Sequence, residues 1–583
     1  MPNLNTKDNK IKETAIAILV PVLFLLYGLI RSSRGVDLQD TPYNYGNFLH
    51  LDTLDKMWYN STFLANMLGG LFSHLPFGKT MLAMNIYCGI VKCIIPIMVY
   101  FFMTKTVGLS KWIGIVSELC ALGLCWCTVS LLYNYLTYLL FTACVLLLYI
   151  GLTKDSKKFL FMAGLVLGLN VFVRLPNICE AMLILAVLYY GVIKKEEMVR
   201  FFQKCGICIG GFLAAVVIML IIAGPSGYIG SIMQMFASTK EATDYSSSGM
   251  IVSIVNGYLS SWFYFERVFV IIIPVFFIGM YLGDNKVLRY VISAVFSLVL
   301  LYWMGRNKLF TFDYTSFECV YQIAVLMLYF ILITLIVVLF DATKSADDRL
   351  LSLLSVIMIV ATPIGSNNGV YPILNNLFFV LPVFIREIIG YTKAKGFEFN
   401  KKHKITIKAD MPLMIVLVLM AVLTIQSIIC GGVYLFKDSF ATAKIEGNAV
   451  LSGMHTNEEN SAMLEEITDF YEGTGKESLL VYGDIPGMVY YLSAEPAIST
   501  SWPNLDSYVY DKFDSELNRL DEEGLKPVIM IDADSAIGRY LNGDLTSEED
   551  ILGPKENRLI MFIEDGGYQI SYTNDRVIAL LAK

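Results

Sequence analysis

Charge is what this sequence has least of: 16% of its 583 residues are Asp, Glu, Lys or Arg, where a soluble domain carries about 25%. Its four histidines, His50, His74, His403 and His455, are scattered with no zinc-helix spacing. There is no Walker loop and no glycine fingerprint for a dinucleotide after a strand. A basic face is missing as well, and the net charge of −7 argues against nucleic acid as a partner. The eleven cysteines fall in or at the edges of apolar runs, with none in the C-terminal part, so no disulfide framework is implied. Cys125 and Cys127, in LCWC, cannot share a helix face and read as apolar filling.

What is abundant is apolar length. Hydrophobic residues make up 56% of the chain and the mean hydropathy is +0.60, which places it in a bilayer. A helix needs about 20 apolar residues to cross roughly 30 Å of hydrocarbon. Runs that qualify or nearly do lie at 13–30, 80–103, 112–133, 135–152, 159–173, 178–193, 205–223, 268–283, 288–304, 319–340, 350–364, 373–391 and 411–430, about thirteen spans in all. The first ends in LYGLIRSS and is followed by more runs, so it reads as a span and not as a cleaved signal peptide.

Lysine and arginine collect on the cytoplasmic side of membrane proteins. With Lys7, Lys10 and Lys12 inside, the connections holding Lys105, Lys157, Lys194, Arg200, Lys286 and Arg349 fall inside too, as does the basic TKAKGFEFNKKHKITIK at 392–408. An odd number of spans then puts the C-terminus outside. The sequence thus predicts a polytopic α-helical plasma-membrane protein: a transmembrane domain over 1–430, with long outer loops at 31–79 and 224–267, and a small extracytoplasmic α/β domain over 431–583. In that tail SLLVYG (478–483) and PVIMIDA (527–533) read as buried strands. Helices are expected over Thr456–Tyr471, with Glu459 three residues after Thr456 as in a capping box, and over Asn504–Leu520.

The chemistry has to come from polar residues at the outer face. The first outer loop, RGVDLQDTPYNYGNF, carries Asp37 and Asp40 with Tyr43, Tyr45, His50, Asp52 and Asp55 close behind. A solvated loop is the plain reading; against it, aromatics and proline between the acids suit a binding surface. Arg174 ends the fifth run in VFVRLPN, where it either snorkels or holds a phosphate through its planar fork. Lys240, Glu241 and Asp244 cluster with Tyr245 in the second long outer loop, either as a solvated turn or as a binding group. Lys92 sits within the second run, where a charge normally faces a cavity or a partner. In GSNNG, Asn367 and Asn368 are ordinary turn formers whose amides also suit sugar hydroxyls.

The order of these features resembles the type C (GT-C) membrane glycosyltransferases, most closely bacterial relatives of the protein-mannosyltransferase and aminoarabinose-transferase group. The likeness rests on Asp37 and Asp40 in the first outer loop, Arg174-Leu175-Pro176, the GSNNG turn and the tail segment VYGDIPGMVYYLSAEPA at 481–497. The family's more usual Asp-Glu pair is not kept, since Thr41 follows Asp40. The resemblance implies transfer of a sugar from a polyprenyl-phosphate donor lipid to a glycan, lipid or protein acceptor outside the membrane. Asp40 or Asp37 would be the general base, Asp40 being favoured beside the aromatics. Arg174, Tyr43, Lys240, Glu241, Asp244, Asn367 and Asn368 would bind substrate, with a divalent metal left open as cofactor. Two further readings stand beside it: a transporter or flippase of lipid-linked sugars, although no internal repeat supports one, and a polymerase or ligase of surface glycans.

Overall fold

Backbone groups removed from water must bond within their own segment, so each apolar run closes into a helix. The computed structural model describes residues 4–125, 131–241, 247–282, 285–311, 318–393, 410–430, 442–543 and 552–583. The chain opens with α1 (Leu4–Leu29) and then folds three short helices where an outer loop was expected: α2 (Asp40–Leu49), α3 (Lys56–Ser61) and α4 (Phe63–Ser73). The bundle continues through α5 (Met81–Phe102), α6 (Lys111–Leu124), α7 (Leu132–Thr153) and α8 (Lys157–Val171). A 3-10 turn over Leu175–Leu183 leads into α9 (Ile184–Lys194), α10 (Met198–Ala223), α11 (Pro225–Glu241), α12 (Ser247–Leu259), α13 (Trp262–Tyr281) and α14 (Lys286–Arg306). Helices α15 (Glu318–Phe340), α16 (Ala346–Ala361), α17 (Tyr371–Asn375), α18 (Val380–Lys393) and α19 (Asp410–Cys430) complete it.

Each of the thirteen predicted runs overlaps a helix, but among the described residues eight stretches are long and apolar enough to cross a membrane. Helices α6, α8, α16 and α18 have only 14, 15, 16 and 14 residues. Helix length alone therefore does not fix the number of spans. The second stretch expected as an outer loop, 224–267, also carries helices, α11 and α12. The basic segment at 394–408 lies outside the described residues.

The tail is α/β, as expected. A two-stranded ribbon, β1 (Ala443–Lys444) and β2 (His455–Thr456), precedes α20 (Glu458–Thr474), β3 (Ser478–Tyr482), α21 (Met488–Tyr491), β4 (Glu495–Pro496) and α22 (Tyr510–Glu522). Then come β5 (Val528–Asp532), α23 (Ala536–Asn542), α24 (Pro554–Asp565), β6 (Tyr568–Thr573) and β7 (Val577–Ala582). The sheet order is β4-β3-β5-β7-β6, with β3 parallel to β4 and β5 and β7 antiparallel to β5 and β6. Two boundaries differ from the sequence reading. Asn457, not Thr456, caps α20, its side chain accepting from the amide of Asn460 at 2.7 Å. Helix α22 starts at Tyr510 because Asn504 is held in a turn, its side chain accepting from the amide of Gly483 at 3.3 Å.

The strands β3 and β5 read as unbroken apolar runs because both faces of the sheet are covered. Leu479, Val481, Val528, Met530, Val577 and Ala579 join the large core shared with the helix bundle. Their alternates Leu480, Tyr482, Ile529, Ile531, Ile578 and Leu580 pack with Phe513, Leu517, Leu559 and Phe562 of α22 and α24. The tail is thus built onto the bundle, and the contact falls on the stretch that carries the acids.

Candidate functional site

The stretch between α1 and α5 is held by backbone bonds to the tail at several points. The amide of Gly35 donates to the carbonyl of His455 at 3.0 Å, Gly487 donates to Leu38 at 2.8 Å, and Asp55 donates to Ser499 at 2.9 Å. The Tyr491 hydroxyl donates to the carbonyl of Asp37. Lys512 of α22 forms an ion pair with the buried Asp55, whose other oxygen caps α3 at the amide of Met57, 2.7 Å away.

Within this frame the two acids have different surroundings. Asp37 is 3% exposed, and its Oδ2 accepts from the Thr41 hydroxyl at 2.9 Å and the Thr41 amide at 3.4 Å. It thereby closes the first turn of α2, a helix whose N-cap residue Gln39 makes no side-chain cap. Asp40 is the first residue of α2 and is exposed, yet it is densely surrounded. That crowding pushes its carboxyl above the ordinary aspartate value. A solvent-reachable carboxylate whose proton affinity is raised is suited to accepting a proton.

Tyr43 is buried: its ring meets Trp502 edge-on at 5.4 Å and its hydroxyl lies 3.3 Å from Thr500 Oγ1. It packs α2 on the tail and does not face solvent. Tyr45 is buried too, donating to Asn85 Oδ1 at 2.7 Å. His50 lies 3.8 Å from Glu495, and burial lowers its pKa. The crevice between α2 and the tail, lined by Asn47, His50, Pro496 and Thr500, has a volume of about 10 Å³. That is room for about one water, so a larger molecule could reach Asp40 only from its open side.

A second group forms around Arg174, which is half-buried. Its Nη1 donates to Asn134 Oδ1 at 3.2 Å and its Nη2 to the carbonyl of Gly365 at 2.7 Å, and the guanidinium lies 5.7 Å from the centre of the Tyr133 ring. Of its five N–H donors, these two have protein acceptors among the described residues. Gly365 has φ +84°, and a Cβ there would stand 2.2 Å from Cβ of Pro176. The GSNNG turn and the Arg-Leu-Pro corner therefore fit against each other backbone to ring. The same turn meets α12, where the Ser253 hydroxyl donates to the carbonyl of Asn367 at 2.7 Å. Asn367 and Asn368 are exposed. The side chains of Lys240, Glu241 and Asp244 lie outside the described residues, while Lys92 is buried in α5, 5.5 Å from the centre of the Tyr135 ring.

Helix α4 bridges the two groups. Its Gly69 lies so close to Phe48 of α2 that a Cβ would be 2.5 Å from the ring, and its Leu64 amide donates to the carbonyl of Phe172 at 2.8 Å. Five residues separate these contacts, roughly 8 Å along a helix axis. Behind Arg174 lies a polar cluster that single-residue reasoning missed. Asn170 Nδ2 donates to the buried Glu180 at 2.7 Å, and Asn177 Nδ2 donates to Thr137 Oγ1 at 2.9 Å. The signal was present in the sequence: polar residues at 170, 174, 177 and 180 recur every three or four positions in an otherwise apolar run. Below this corner opens an apolar cleft of about 450 Å³ lined by Cys144, Leu148, Leu167, Ile178, Val187 and Phe212. Among the described residues no three His, Cys, Asp or Glu side chains converge as a metal site would require.

No family model matches the chain, and no curated protein does. Solved structures similar to it include ArnT from Cupriavidus metallidurans in the apo state, at 10% identity and TM-score 0.49 over 99% of this chain and 98% of that one. The same protein bound to undecaprenyl phosphate matches at 9% identity and TM-score 0.47 over 97% and 98%. The Archaeoglobus fulgidus oligosaccharyltransferase in complex with Zn and sulfate matches at 12% identity and TM-score 0.46 over 97% of this chain and 73% of that one.

Proposed function

We propose that this chain is a membrane glycosyltransferase that moves a sugar from a polyprenyl-phosphate carrier to an acceptor on the outer side of the membrane. The observation that carries the reading is the division of labour in the first outer stretch. Asp37 is fixed as the cap of α2, and Asp40, one helical turn on, is left reachable with a raised proton affinity. As the acceptor hydroxyl attacks the anomeric carbon, Asp40 takes its proton. The bond from that carbon to phosphate breaks with oxocarbenium character.

Arg174 suits the departing phosphate, with donors left over beyond Asn134 and Gly365 and a planar fork that matches phosphate oxygens. Ile178, one turn further along the chain, lines the apolar cleft. An isoprenoid tail in the cleft would thus bring its phosphate to Arg174. The reading places the N-terminus inside and the 431–583 domain outside, with the basic connections as its support. Incubating purified full-length protein with a polyprenyl-phosphate sugar and a hydroxyl acceptor tests it: sugar transfer is expected. If instead vesicles holding the protein move the intact lipid-linked sugar between leaflets without cleaving it, the transport reading takes its place.

A further inference from the structure

Cys319 and Cys430 stand 111 positions apart in sequence, yet their sulfurs lie 3.2 Å from each other. Cys319 is the second residue of α15 and Cys430 the last of α19, so the start of one helix meets the end of the other. Both side chains are buried, at 3% and 1% exposure. Other thiols meet oxygen instead: Cys93 donates to the carbonyl of Phe24, Cys144 to that of Ala163, and Cys120 meets the hydroxyl of Ser427. Among the described residues, 319 and 430 are the thiol pair in hydrogen-bonding contact.

The position of the pair matters as much as its spacing. The Tyr27 hydroxyl near the end of α1 donates to the carbonyl of Ile428 at 2.9 Å. The pair therefore lies at the end of the bundle from which the Asp37 stretch and the tail both emerge.

We propose that Cys319 and Cys430 are a modification site: they join as a disulfide that ties α15 to α19 at the root of the outer domain. The inference rests on the proposed orientation, which puts this end of the bundle in a compartment where disulfides persist. The oxidant is a disulfide-exchanging protein or small-molecule disulfide. One thiol gives up its proton, and its thiolate attacks the oxidant's disulfide, releasing one thiolate. The second cysteine's thiolate then attacks the mixed disulfide, displacing the oxidant's remaining sulfur. Two protons leave the protein thiols, and two electrons pass to the oxidant, whose two sulfurs end as thiols. Because the packed pair is buried, the exchange occurs while the helices assemble, and the finished bond is shielded from reductant. A cross-link over a long loop restricts the unfolded chain more than a short one does.

The test uses the full-length protein in its membrane. Cells are acid-quenched, and thiols are alkylated in denaturant with N-ethylmaleimide. The protein is then digested without reduction and analysed by mass spectrometry. A linked peptide pair containing residues 319 and 430 is expected, and both positions should take a second, heavier alkylating label only after reduction. In parallel, reductant present during unfolding should lower the thermal midpoint of the wild type and leave that of Cys319→Ala/Cys430→Ala unmoved. Recovery of both residues with the first label overturns the proposal. Protease cleavage of the tail in intact cells then shows which premise failed: a cleaved tail with free thiols condemns the pairing, and a protected tail condemns the orientation. A reductant effect that persists in the double variant also overturns it.

Discussion

At the scale of single residues, the account separates two acids three positions apart. Asp37 caps α2 through an acceptor oxygen, so Asp37→Ala should act mainly through stability. Losing a side-chain cap costs about 1 kcal/mol, to be read as a lower thermal midpoint with transfer reduced far less than in an Asp40 variant. The Asp40 carboxyl is raised above its usual value by its surroundings, and a general base works only when deprotonated. Activity should therefore fall as pH drops through this raised pKa, so the acidic limb of kcat/KM lies above that of an unperturbed aspartate, about 3.9. The same shift makes its contribution to folding less favourable once the group ionises, so stability attributable to Asp40 is greater below its folded pKa than above it. A pH-rate profile with its acidic limb at the unperturbed value would count against Asp40. Arg174→Lys keeps the charge but loses the fork that bonds Asn134 and Gly365 together. Its KM for the donor lipid should rise about tenfold, the equivalent of 1.4 kcal/mol, with the acceptor KM little changed.

At the scale of elements, the two corners depend on close backbone approach. Gly365→Ala would force a Cβ against Pro176 at a residue with φ +84°, at a cost of about 1 kcal/mol or more from backbone strain alone. The turn should shift away from Arg174 and donor use should weaken, whereas alanine at Gly447, whose added Cβ meets nothing within 4 Å, tests the φ penalty without a clash. Tyr491→Phe removes the hydroxyl that holds the Asp37 carbonyl; a loss of about 1 kcal/mol is expected, seen as faster hydrogen exchange in α2. Elements of this kind were legible in the sequence only where local pattern decides them. The thirteen apolar runs are readable because a helix facing lipid or protein can be apolar all round, and β3 and β5 because both faces of the sheet are covered. The helices α2, α3 and α4 were not, since DTPYNYGNFL is short and rich in turn formers, and its helix is stabilised by Asp37 and by the tail. Strand β6 escaped because QISYT is exposed over most of its length and is held in place by pairing with β7, whereas β7 is an unbroken apolar run, VIALLA, that local pattern did carry and the sequence reading passed over. Arg174 was legible as a charge at a helix end, but its partners Asn134 and Gly365 stand 40 and 191 positions away, beyond any local pattern.

At the scale of the whole molecule, the tail and the stretch between α1 and α5 form one continuous piece, joined by backbone bonds at Gly35, Leu38 and Asp55. Protease added to intact cells should cut within the tail, and cutting seen only after permeabilisation would reverse the orientation. A chain ending after α19 would lose the contacts that hold Asp37, so it should fail in transfer even where it inserts. The central claim, that the Asp40 carboxylate is the base in sugar transfer, is met most directly by single-turnover transfer from a polyprenyl-phosphate sugar in purified wild type and Asp40→Asn, with donor binding measured on the same samples. The amide keeps the shape and removes the proton acceptor. The account expects transfer to fall by about 10²-fold or more with donor binding retained. Transfer at the wild-type rate by Asp40→Asn, or by Asp37→Asn/Asp40→Asn, would contradict it.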